Sequence, residues 1–189
     1  MGVVTTEPRT LGLPRSRPLR RADLAALPDD GHRYELLDGS LIVTPSSSHP
    51  HQRVAFRVAR LLDEACPEDV EIVMAPFDVA LADDTVLQPD VLVVRLVDFT
   101  HRDLPTAPLL AIEVLSPSTQ IIDRNAKKAR YEAAACPAYW VIDPLAATLT
   151  AWELENGVYV QVAQVAGDEV FAAARPFPVE VVPNRLVTR

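Results

Sequence analysis

The sequence predicts an α/β (α+β) domain in which a mixed β-sheet lies between helices. Three observations carry this. Short apolar runs of strand length recur along the chain, several with a two-residue period. Two separate segments carry the 3.6-residue apolar period of helices. Asp38-Gly39 and Asn156-Gly157 are each flanked by apolar runs, the pattern of tight hairpins.

Residues 1–20 carry Pro8, Pro14 and Pro18 among scattered arginines, without periodicity. They read as a flexible tail, leaving the folded domain over 21–189. Asp23 suits the cap of a short helix over 24–27, stopped by Pro28 and Gly31. The first hairpin has arms at 34–37 and 41–43, closed by Pro45 and three serines. Over 51–65, Val54, Val58, Leu61, Leu62 and Ala65 recur at helical spacing, and Pro67 ends the helix. Strands follow at 70–74 and 77–81, then one over 86–94 that includes Pro89-Asp90. Residues 109–115 form a continuous apolar run apart from one charge, the mark of a buried strand. Residues 116–119 are a turn. Residues 123–135 read as a helix with an apolar stripe at Ile122, Ala126, Ala129 and Ala133. A strand over 138–142 stops at Asp143-Pro144. The second hairpin spans 148–154 and 158–165, and the last twenty residues hold one or two short strands.

The length, 189 residues, suits one domain with a core large enough to need no disulfide or zinc staple. Hydrophobic residues make up 49% and charged residues 23%, which excludes disordered, collagenous and coiled-coil chains. No apolar run approaches the roughly 20 residues of a membrane helix, and residues 1–21 lack the apolar core of a signal peptide. A cytoplasmic location is the expectation. Cys66 and Cys136 each precede a proline, lack zinc-type spacing, and read as small buried thiols. The net charge of −8 argues against a non-specific nucleic-acid coat. It leaves room for an enzyme that gathers carboxylates around a metal. The six glycines are never clustered, so phosphate loops and dinucleotide fingerprints are absent. So are the G-x-S-x-G elbow and the H-E-x-x-H pair.

The chemistry concentrates in carboxylates. Asp90 opens one apolar strand, and Glu113 lies near the end of the next. If those strands pair antiparallel, the two meet at one edge of the sheet. A charge inside a buried strand needs a partner or a metal. Two convergent carboxylates repel unless a cation lies between them, and hard oxygen ligands suit Mg²⁺ or Mn²⁺. Hydrolysis of a phosphate ester also needs a cation to steady developing charge. Lys127 is the candidate, on the next helix, one turn from Asp123 and one from Tyr131; a solvated i,i+4 pair with Asp123 is its plainer reading. Arg53, Arg57 and Arg60 read as a solvated helix face, with phosphate contact as the alternative. Tyr139-Trp140 reads as core rather than a base-stacking platform.

An ordered set of blocks then resembles a known family. Pro89-Asp90, Glu113-Val114-Leu115-Ser116-Pro117-Ser118-Thr119, Asp123-Arg124-x-x-Lys127-x-x-x-Tyr131 and Ala138-Tyr139-Trp140-Val141-Ile142-Asp143-Pro144 look like the Uma-type family of restriction-endonuclease-like proteins, within the PD-(D/E)XK nuclease superfamily. Tyr34-Glu35-Leu36-Leu37-Asp38-Gly39 and His51 match its N-terminal block, so the likeness covers about 33–154. The resemblance implies a restriction-endonuclease-like mixed sheet flanked by helices, here with an extra C-terminal hairpin. It implies Asp90 and Glu113 as ligands of Mg²⁺, with Mn²⁺ as substitute, and hydrolysis of DNA phosphodiester bonds. The lysine that the superfamily places two residues after the glutamate is Leu115 here, and Lys127 takes that role from the following helix. Glu35 is an additional acid near the metal, and His51 a possible contact to substrate or water. A homodimer suits two cuts on duplex DNA. Two other readings stand beside the nuclease. One is a nuclease-fold binding or regulatory module without turnover; the other is a metal-dependent hydrolase of a different phosphodiester.

Overall fold

The structure is a computed structural model that describes residues 11–44, 46–117 and 120–188. In chain order its elements are α1 (Arg21–Leu24), β1 (Arg33–Leu37), β2 (Ser40–Thr44), α2 (His49–Asp63), β3 (Val70–Met74), β4 (Asp78–Ala82), β5 (Thr85–Leu87) and β6 (Val91–Arg95). A 3₁₀ turn at Leu96–Asp98 leads to β7 (Asp103–Leu104) and β8 (Leu110–Val114). After a π-helical turn at Ile122–Lys127 come α3 (Lys128–Ala133), β9 (Ala138–Asp143), β10 (Thr148–Glu155), β11 (Val158–Ala166), β12 (Phe171–Ala173), β13 (Val179–Val181) and α4 (Pro183–Val187).

The main sheet has six strands in the order β11-β10-β9-β8-β6-β3. Only β8 and β9 within it run parallel, joined by the π turn and α3. A second sheet, β2-β1-β5-β4-β7, carries the N-terminal hairpin, and β12-β13 form a small ribbon. Strand alternation divides the core into two. On one face of the main sheet, Val91, Val93, Leu110, Ile112, Trp140 and Ile142 pack with Val54, Val58 and Leu62 of α2. On the other, Leu92, Val94, Ala111, Tyr139 and Val141 pack with Tyr131 of α3 and with Val79, Leu87 and Leu104. Trp140 and Tyr139 therefore lie in the core on opposite faces, and neither is a stacking platform.

Both hairpins form as expected. Asp38-Gly39 and Asn156-Gly157 take positive φ (52° and 73°, 50° and 85°), the conformation that tight two-residue turns demand. Several expectations need correction. The strand expected over 86–94 is two strands in two sheets. β5 belongs to the second sheet and β6 to the first, and the chain crosses between them at Gln88-Pro89-Asp90, where Pro89 has no N–H to give a ladder. The short helix starts at Arg21, not Leu24, because the Asp23 carboxylate reaches back to the Arg20 N–H at 2.8 Å from the third helical position. Residues 123–135 are not one α-helix: the first turn is π-helical. The C-terminal segment adds α4 to its two strands. The tail expected over 1–20 includes a packed end. Leu19 is buried against Leu36, Ala80 and Val86, and its N–H donates to the Gly39 carbonyl at 2.9 Å. The rest of that tail over 1–10, with Pro45 and Ser118-Thr119, lies outside the described residues.

Arg53 and Arg57 of α2 hold the C-terminal segment, and Arg60 stays on the solvated face. Arg53 donates to the Val187 carbonyl at 3.2 Å, and Arg57 to the carbonyls of Arg185, Leu186 and Thr188, tying down α4. Arg60 pairs with Glu64 at 3.3 Å. No helix among the described residues is long and apolar enough to cross a membrane.

The cysteines are both free, Cys66 half-buried and Cys136 fully buried. Burial pushes the Cys136 thiol up to about 12. A thiol reagent should therefore modify Cys66 alone in the folded protein and both cysteines after denaturation. Rapid labelling of Cys136 in the native state, located by peptide mapping, would contradict this packing.

Candidate active site

The site forms where β6 and β8 begin and end side by side. They pair antiparallel with Val91 opposite Ile112, which sets Asp90 opposite Glu113 at the next step. Alternation places both on the face shared with Leu92 and Ala111, beneath the second sheet. The expected meeting of the two carboxylates therefore occurs, at the ends of interior strands rather than at an edge of the sheet. Both are buried, and both line a cavity of about 200 Å³ together with Arg33, His51, Ser46–Ser48, Ser116 and Asp123.

Asp90 is held from three sides. Its Oδ2 accepts the Val114 N–H at 2.8 Å and lies 3.1 Å from His51 Nε2. Its Oδ1 accepts Arg33 Nη1 at 2.9 Å. Burial opposes its ionisation, but the His51 hydrogen bond and the Arg33 charge outweigh that and bring its pKa down to about 2. His51 is presented by the first turn of α2, with Nδ1 buried and without a hydrogen bond.

Lys127 is 1% exposed. Its Nζ lies 2.9 Å from Glu35 Oε1, 3.2 Å from Glu113 Oε1 and 3.5 Å from Asp123 Oδ1. The solvated-pair reading of Lys127 thus fails: it pairs with Asp123, but inside the protein. Burial works against the ammonium, and three surrounding carboxylates overcome it, so the pKa rises and the lysine stays charged. For Glu113, burial and the charges of Asp123, Asp90 and Glu35 push the carboxyl well above its ordinary range, with Lys127 opposing. Glu35 is fully buried in β1 and accepts the Gln88 N–H at 2.7 Å. The Oε2 atoms of Glu35 and Glu113 are buried without hydrogen bonds.

Asp123 and Lys127 enter together because residues four apart share a helix face, here in the π turn. Such π turns are frequent at functional positions. The Asp123 carbonyl accepts Tyr139 Oη at 2.7 Å, which pins the turn to β9. Thus all five expected residues, Asp90, Glu113, Lys127, Glu35 and His51, come together.

Two more belong to the cluster. Arg33 bridges Asp90 and Glu35, with Nη2 3.6 Å from Glu35 Oε2. It stands two residues before Glu35 on β1 and so shares its face, a signal present in the sequence. Asp123, at i−4 from Lys127, is 2% exposed and lines the cavity. Its i,i+4 spacing pairs it with Lys127 in the sequence, but that spacing does not say whether the pair is buried or solvated.

A family model named Uma2, described as putative restriction endonuclease, matches residues 21–185. The crystal structure of a putative nuclease belonging to DUF820 from Anabaena variabilis superposes with a TM-score of 0.70 at 17% identity, covering 90% of this chain and 98% of that one. At that identity the likeness establishes the fold. No curated protein matches the chain. The match over most of the sequence places the chain in the Uma2 family of putative restriction endonucleases.

Proposed function

We propose that the protein is a divalent-metal-dependent endonuclease acting on DNA, with Asp90 and Glu113 as metal ligands. The observation that carries this is the convergence of two buried carboxylates from paired strands on one cavity, with the buried ammonium of Lys127 beside Glu113. The family description and the name of the structural neighbour support the same activity.

The residues fit a hard divalent ion. Glu113 Oε2 is a buried acceptor with no hydrogen bond. Four buried carboxylates, Glu35, Asp90, Glu113 and Asp123, face two permanent cations, Arg33 and Lys127. Among the described residues no three His, Cys, Asp or Glu side chains form a ready-made metal cage. Mg²⁺ commonly binds through one or two carboxylates and keeps several waters, so it requires none. When bound, such an ion acidifies a water and shields the charge of the scissile phosphate. The chain's own residues supply the rest. His51 and the Val114 N–H fix the Asp90 carboxylate, and Lys127 holds Glu113 and Glu35 in place. The cavity, flanked by serines, admits a phosphate.

The test is cleavage of supercoiled plasmid with Mg²⁺ or Mn²⁺, with EDTA, and with Glu113→Gln. Nicked and linear products are expected with metal and wild-type protein only. Equal cleavage in EDTA or by the variant would reject the proposal. One observation favours a second reading, a nuclease-fold binding module without turnover: Leu115 occupies the position of the superfamily lysine. DNA binding without cleavage under every metal condition would select it.

A further inference from the structure

We propose that Arg33 is a two-position counter-ion, which yields Asp90 Oδ1 to the divalent ion and moves onto Glu35 Oε2. This rests on the metal reading above and concerns a residue to which that reading gives no ligand or catalytic role.

The argument begins with the oxygens of Asp90. Oδ2 is already engaged by the Val114 N–H and by His51 Nε2. A carboxylate oxygen offers two lone pairs, so Oδ2 is full when His51 carries its proton on Nε2. A metal on Asp90 must therefore use Oδ1, the oxygen that Arg33 Nη1 occupies at 2.9 Å. An ion there would touch the guanidinium, and two cations on one oxygen repel strongly at low dielectric.

The second seat is already present. Glu35 Oε2 is buried without a hydrogen bond, 3.6 Å from Arg33 Nη2. That distance is too long for a hydrogen bond, so a small rotation of the guanidinium gains one as the other is lost. Arg33 Nε is also buried without a partner, so the present seat leaves a donor unused. The side chain is 17% exposed and lines both the acidic cavity and an adjoining groove, which gives it room to turn. After the move each buried carboxylate of the cluster faces a cation, with Arg33 on Glu35, Lys127 beside Glu113 and Asp123, and the metal on Asp90. The arrangement keeps Asp90 neutralised before metal arrives and makes metal entry depend on Glu35.

Two measurements test this without requiring cleavage. In wild-type protein, the Arg33 Nε–Hε resonance, assigned by its absence in Arg33→Lys, should shift on addition of Mg²⁺. Calorimetric titration with Mn²⁺ should show a coupling. Glu35→Gln should weaken binding about tenfold when Arg33 is present, and much less in Arg33→Met. Arg33→Met alone should bind Mn²⁺ more tightly than wild type. An unmoved resonance, additive effects in the cycle, or Mn²⁺ affinity unchanged or weaker in Arg33→Met would each overturn the proposal. The resonance is read in the wild type and so decides the matter even if a variant fails to fold. A shifting resonance in a protein that cleaves no nucleic acid would retain this role and reject the nuclease. Cleavage with an unmoved resonance would do the reverse.

Discussion

Replacing Lys127 by Met is expected to destabilise the protein by about 3–5 kcal/mol, because it strands buried carboxylates without their counter-ion. The Lys127 ammonium is within 3.5 Å of Glu35, Glu113 and Asp123, all nearly inaccessible to water. Methionine matches the length and flexibility of the stem, so packing changes little and the charge is the variable. Relief comes by protonation, and Glu113 is the group already biased towards it by burial. For a chain of this length, such a loss lowers Tm by very roughly 6–20 °C. Thermal melts should show this at neutral pH, and Mg²⁺ should restore part of it if a divalent ion enters the same cluster. The variant should also lose plasmid cleavage. A melting temperature within a degree or two of wild type would mean that Lys127 does not neutralise the site.

The cluster shows how far a sequence discloses its site. Asp90 and Glu113 were legible because strand alternation and an antiparallel register are local rules, and Glu113 is a charge inside an apolar run. Lys127 was legible as a candidate from its place on the next helix, but its spacing from Asp123 fits an exposed pair equally well, and the family resemblance added weight. What the sequence hid is tertiary. The π turn that carries Asp123 has no periodic signature, and the stripe at Ile122, Ala126, Ala129 and Ala133 implied an ordinary helix. The chain's change of sheets at Gln88-Pro89-Asp90 was concealed by continuous β-propensity. It has a functional consequence, because the crossing puts the Gln88 N–H on Glu35 and the Asp90 side chain on Arg33. The hairpins and α2 were plain, since positive-φ turn residues and a long amphipathic stripe carry their own physics.

Asp90→Asn should abolish metal-dependent cleavage while leaving the secondary structure intact. The amide oxygen can still accept the Val114 N–H, so the link between β6 and β8 survives. Alanine would leave that buried N–H unsatisfied and confuse a chemical loss with a structural one. The asparagine removes the negative charge that would ligate the metal, a contribution of several kcal/mol to shielding developing phosphate charge. Each 1.36 kcal/mol is a factor of ten in rate, so about three orders of magnitude in kcat or more should disappear. The variant also leaves Arg33 without its carboxylate partner on Asp90 Oδ1, so a moderate fall in Tm accompanies the loss. Far-ultraviolet circular dichroism, melting curves and single-turnover cleavage in Mg²⁺ separate the two effects. A folded Asp90→Asn protein that cleaves at the wild-type rate would remove Asp90 from the reaction and leave it a structural clamp between α2, β1 and β8.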